Sequence, residues 1–212
     1  MIELMKETFT RPGFVAYKLL LEYSNTYPKN FFGKPEINIQ HSLNVRNFSL
    51  YLQRLVGGNK EIVEVAALFH DLGKISTVEG HEELIVKLLQ KHKKDLSFSD
   101  NDFDVLLNTC SESEHTQEML EHKILHCSDN LAFLFDNHYQ EAYYRYVGTK
   151  KLLFEKRMDP KHQKLPLPEA KILGDAFYKN VEQYWSKRPE QAEERYRPDI
   201  EGKDLASFTQ IL

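Results

Sequence analysis

Residues 61–69 constrain this chain more than any other stretch. Ile62, Val63, Val65, Ala66, Ala67, Leu68 and Phe69 form an almost unbroken apolar run that ends on His70-Asp71-Leu72-Gly73-Lys74. An element apolar on every side belongs in a core. Periodicity alone does not separate a buried strand from a buried helix over so short a length. The paired alanines and the Asn59-Lys60-Glu61 start favour a helix, because alanine is the strongest helix former. The helix is expected to stop near Gly73, since glycine commonly ends helices. A polar, ionisable pair therefore stands at the end of the most buried element.

Helical periodicity runs through the rest of the chain. It predicts a first helix over residues 13–23, with Phe14, Tyr17, Leu20 and Leu21 on one side. A polar loop follows from Ser24 to Pro35. The next helix, about Gln40 to Leu55, carries the stripe Val45, Phe48, Leu52 and Leu55. His41 lies four residues before Val45 and so shares that inward stripe.

A helix after Gly80 has Glu82 and Glu83 in its first turn, where the dipole favours acids. Ser99 to Asp102 offer N-caps for a helix through Leu107. Further helices are expected over residues 118–135, 139–157 and 169–186, with a Pro-rich loop from Asp159 to Pro168. Residues 187–204 are highly charged and read as a surface wrap or a mobile end. No strand alternation, internal repeat or Gly-rich phosphate loop is visible. The fold class is all-α.

Composition narrows the function. The 212 residues, 41% hydrophobic, suit one domain with an extension. A net charge of -4 gives no strong global field for nucleic acid or membrane, and a local basic patch stays open. Cys110 and Cys127 make no disulfide framework and read as core residues. The start lacks a signal-peptide pattern and no apolar stretch is long enough to span a bilayer, so the expectation is a cytoplasmic protein. Nine histidines are present, and six fall between His70 and His126, which raises the prior for a metal site of nitrogen and oxygen donors.

Asp129 lies on a face shared with Leu125, Ala132 and Phe133, where an acid is costly unless paired or bound to a cation. Adjacent side chains on a regular helix diverge by about 100°, so His70 and Asp71 can reach one ion only beside the helix end. Imidazole plus carboxylate suits zinc, manganese or iron. Three helices would thus bring His41, His70, Asp71 and Asp129 to one buried point.

At these residues the chain resembles the HD superfamily of metal-dependent phosphohydrolases, marked by a His, a His-Asp doublet and a distant Asp. The pattern here is His41, His70-Asp71, Asp129, in the neighbourhoods His41-Ser-Leu-Asn-Val45, Ala66-Ala-Leu-Phe-His-Asp-Leu-Gly-Lys74 and Ile124-Leu-His-Cys-Ser-Asp-Asn-Leu131. The resemblance covers about residues 38–135 and draws nothing from residues 150–212. It implies an HD-like metal-binding helical bundle, placed within residues 1–150; periodicity and charge, not the resemblance, give 151–212 as a helical, charged extension packed on it. It also implies one or two divalent ions (Mn, Fe, Zn, Ni, Co or Mg) and a small phosphorylated substrate, with a nucleotide among the candidates. Neither membrane nor nucleic acid is indicated as a partner.

The resemblance further implies that His81 and His115 complete a second metal site. Were residues 115–129 one helix, His115 would stand roughly 21 Å from Asp129, so that reading requires a break near Glu114 to Gln117. His122 and His126 compete for the role, at i-7 and i-3 from Asp129. The catalytic candidates are Asp71, which with Asp129 would orient water, and Lys74, which either contacts a phosphate or is a plain charge at a helix end. Tyr139, Tyr143, Tyr144 and Tyr146, with Arg145, Lys150, Lys151, Lys156 and Arg157, read either as a nucleotide platform or as one tyrosine-packed helix. Two other functions stay open: a di-iron oxygenase using six ligands, and a non-catalytic regulatory module stabilised by metal.

Overall fold

The computed structural model of the chain describes residues 8–26, 35–75, 81–111 and 117–195. Among them the only extended pairing is an isolated bridge between Thr149 and Gln191. Everything else regular is helical. The helices are α1 (Arg11–Thr26), α2 (Pro35–Val56), α3 (Lys60–Phe69), α4 (His81–Lys91), α5 (Lys93–Leu96) and α6 (Asp100–Thr109). They continue as α7 (Leu120–Phe135), α8 (Asn137–Val147), α9 (Lys150–Leu153), α10 (Asp159–Gln163) and α11 (Pro168–Ser186).

The apolar run forms α3, and the Asn59 side chain caps it by accepting from the Glu61 and Ile62 amides. Ile62, Val63, Val65, Ala66, Ala67, Leu68 and Phe69 are all buried. Each large side chain among them contributes about 1.5–3 kcal/mol by burial, which anchors the end of α3 firmly. The helix closes at Phe69 and is followed by a tight 3₁₀ turn at Leu72–Ile75. The chain thus leaves the helix at His70-Asp71, between α3 and the 3₁₀ turn that contains Gly73. Glycine at 73 answers a different need: a Cβ there would lie 2.2 Å from the backbone oxygen of His81, where α4 begins.

α2, α3 and α7 pack together at the centre, with α1 against α3 and with α10 and α11 against α7. The stripe of α2 is buried at Val45, Phe48 and Leu52, but Leu55 is exposed. The face of α1 also differs from expectation. Its buried residues include Ala16, Leu19, Leu20 and Tyr23, and Phe14 points to solvent. Small residues decide this: Gly13 sits so close to Glu64 of α3 that a Cβ would meet its carboxylate at 2.1 Å. Glu64, fully buried, accepts from Arg46 and from the amide and hydroxyl of Thr10.

The expected single helix over residues 139–157 is broken. α8 ends at Gly148, whose φ of 83° is the left-handed conformation that favours glycine. α9 follows and passes into a π-helical turn, Phe154–Met158. The expected Asp159–Pro168 loop is half helix, because Pro160 starts α10 and Pro168 starts α11, positions where a missing amide hydrogen costs nothing. A second core of Trp185, Val181, Leu153, Met158, Tyr143, Tyr144 and Phe133 joins these elements to α7. Of the charged end, residues 187–195 fold back, with the Tyr144 hydroxyl donating to the Pro189 carbonyl at 2.8 Å.

Candidate metal centre

α2 delivers His41, the end of α3 delivers His70 and Asp71, and α7 delivers Asp129. One donor atom from each of His41, His70 and Asp71 lies within 4.8 Å of the other two. Asp129 joins them: its Oδ1 is 3.1 Å from Nε2 of His41 and 3.8 Å from Nε2 of His70. Oδ2 of Asp71 is 3.8 Å from the same nitrogen of His41. His41 is buried and its ring stacks on Tyr139, with centroids 4.1 Å apart.

Nδ1 of His70 lies 2.7 Å from the Ala67 carbonyl oxygen, so it carries the proton and donates. That bond leaves Nε2 as the lone-pair donor. Among the described residues Nε2 has no hydrogen-bond partner, though it is buried. A backbone acceptor fixing one ring nitrogen while the other faces outward is the usual arrangement of a metal-binding histidine. Burial pushes the His70 imidazole below the ordinary histidine range, outweighing the Asp71 and Asp129 carboxylates. It therefore stays neutral, the form in which imidazole binds metal.

Both acids are held as carboxylates. Burial disfavours the Asp71 carboxylate, but the Lys74 ammonium 2.6 Å away, with His70 and His41, overcomes this and holds it well below the usual range. Burial likewise works against Asp129, and Lys161, 2.6 Å from Oδ2, together with His41 reverses it. Two carboxylates and two neutral-capable imidazoles at one buried point suit a divalent cation.

His70, Asp71 and Asp129 line a cavity of about 260 Å³, together with Lys74, His81, Cys110, His122, His126, Tyr139, Tyr143, Arg157 and Lys161. His81 is therefore placed on the cavity wall, but outside the three-residue donor cluster. His115 lies outside the described residues, as does the stretch in which a helix break was expected; α7 starts only at Leu120. His122 and His126 line the cavity in stacked orientation, and Nδ1 of His122 meets the Thr109 carbonyl at 3.2 Å.

A comparison with family models matches the HD domain over residues 38–173. The chain belongs to the HD domain family. The match takes in α9, the π turn and α10, well beyond the motif residues. Searches of curated proteins and of solved structures found no match.

Sequence reasoning missed Lys161, which reaches the centre from α10 of this HD protein. The available signal was Asp159-Pro160, an acid and a proline in the pattern that opens helices. The tyrosine run is divided by the fold. Tyr139 and Tyr143 face the cavity, whereas Tyr144 packs on Trp185 and Tyr146 is exposed. His92 pairs with Tyr23 and Asp95, and His162 with Asp175. No described helix is long and apolar enough to cross a membrane.

Proposed function

We propose that this protein is a metal-dependent phosphohydrolase or phosphodiesterase that acts on a nucleotide or another small phosphate ester. One observation carries the reading. His70, Asp71 and Asp129 of the cluster share a cavity with three basic side chains, Lys74, Arg157 and Lys161. Cationic donors around a water-restricted site suit the charge that develops on a phosphoryl group. A divalent ion held by the cluster supplies acidified water and further neutralises phosphoryl oxygens.

The chain's own residues fill the other roles. Asp71 and Asp129, kept ionised, orient water by accepting its hydrogen bonds. Lys74 steadies Asp71 and Lys161 steadies Asp129, so each carboxylate presents its second oxygen in a fixed direction. Tyr139, packed on His41, closes the dry side of the centre.

The test is metal analysis of the purified protein with a turnover screen over generic phosphate esters, nucleotides and cyclic dinucleotides. Bound divalent metal with hydrolysis is the expected result. Silence across the screen refutes the proposal, and iron with oxygen consumption would point to oxidation instead.

A further inference from the structure

We infer that Arg157 binds the terminal phosphoryl group of the substrate, which makes that substrate a phosphate monoester, or the end of a longer phosphate chain, rather than a diester. The inference rests on the phosphohydrolase reading and deepens it.

The three basic side chains of the cavity are not equivalent. Lys74 lies 2.6 Å from Asp71 and Lys161 lies 2.6 Å from Asp129. Arg157 has no carboxylate within ion-pair distance among the described residues. Its guanidinium sits 5.0 Å over the ring of Tyr143 and donates to that tyrosine's side chain. Burial works against this guanidinium, but Tyr143 and, at longer range, Asp129 keep it charged, so its fork can meet an anion in the cavity.

The backbone is built to place this residue. Leu153 and Met158, five residues apart, are both fully buried. An α-helix would turn them to different sides. The π turn, closed by the Asp159 amide on the Phe154 carbonyl, brings residues five apart nearly into line. Both apolar side chains then enter the second core, while Arg157 lines the cavity and Lys161 follows on the next turn. Such turns are rare within helices and recur at functional sites.

Oxygen counting supplies the substrate class. A guanidinium fork engages two phosphate oxygens at once. At least one further oxygen must face the His41, His70 and Asp71 cluster for reaction there. A monoester, with three non-bridging oxygens, meets both demands without sharing one; a diester, with two, must share an oxygen between the fork and the cluster.

Two measurements decide the matter. Inorganic phosphate is titrated into the metal-free full-length protein by calorimetry, for the wild type, Arg157→Gln and Arg157→Lys. Arg157→Gln is expected to weaken binding about tenfold or more, as loss of charged hydrogen bonds does. Arg157→Lys, which keeps charge without the fork, should fall between. Equal affinity in all three overturns the assignment. Melting temperatures check that both variants fold. The metal-loaded proteins are then assayed on p-nitrophenyl phosphate and bis(p-nitrophenyl) phosphate. The wild type should prefer the monoester, and Arg157→Gln should lose at least about tenfold in kcat/KM on it and clearly less on the diester. A wild-type preference for the diester, or equal losses on both, overturns the monoester assignment. A wild type silent on every ester refutes the phosphohydrolase reading and the monoester assignment with it, whereas the titration still decides whether Arg157 holds an anion.

Discussion

Nε2 of His41 and Oδ1 of Asp129 stand 3.1 Å apart although 88 residues separate them in the chain. A contact of that span exists only because α2 packs along α7 while both lean on α3. The donor cluster is therefore a property of the three-helix centre and not of any local segment.

Removing a donor should empty the site without unfolding the protein. His70→Ala and Asp71→Ala are each expected to abolish uptake of divalent metal, measured by elemental analysis after dialysis. The far-ultraviolet dichroism should remain helical, because α3 is anchored by its apolar residues. Full metal content in either variant would refute the ligand assignment.

Glu64 and Arg46 make a buried pair outside the cavity lining, joined at 2.7 Å through Nε and 2.5 Å through Nη2. Breaking such a pair leaves one charge uncompensated and costs about 3–5 kcal/mol. Arg46→Met or Glu64→Leu alone should lower the urea midpoint accordingly. The double variant should recover most of the loss, since two apolar groups remove both desolvation penalties. Additive losses in the double variant would contradict this account.

Gly73 cannot accept a side chain where it is. An added methyl would stand 2.2 Å from the His81 carbonyl oxygen. Gly73→Ala should therefore displace the start of α4 and cost about 1–3 kcal/mol, the range for overpacking. Thermal melting measures the loss. A variant as stable as the wild type would show that α4 docks less tightly than the structure has it.

The two cysteines should be silent in the folded protein. Burial pushes the Cys110 thiol up to about 12 and the Cys127 thiol up to about 11. Reagents that attack thiolates should label neither at pH 8 and both after unfolding. The linkage has a definite sign. An unfolded thiol ionises near 9.0, before the buried one does, so the stability these thiols contribute is present below pH 9 and lost as pH rises toward 11–12. Rapid labelling of the native protein at pH 8 would exclude a buried Cys110.

Much of this was legible in the sequence, for local reasons. The buried run of α3, its Asn59 cap, the Ser99 cap of α6 and the inward position of His41 follow from residue type and spacing. The family pattern of His41, His70-Asp71 and Asp129 is visible in the same way. Where helix packing depends on close approach, local reading fails. Periodicity groups Phe14 with Tyr17, Leu20 and Leu21 on one side of α1, but Gly13 and Ala16 make the close contact and Phe14 is exposed.

The sequence by itself determined an all-helical chain and four polar residues on inward faces, because periodicity and burial cost act within a single element. Only the tertiary structure decided what surrounds them. Arg157 and Lys161 reach the cavity because Gly148 reverses the chain, the π turn widens the helix by one residue, and α10 lies against α7. Each of these steps sets a direction in space, and direction depends on packing between elements that no stretch of sequence contains.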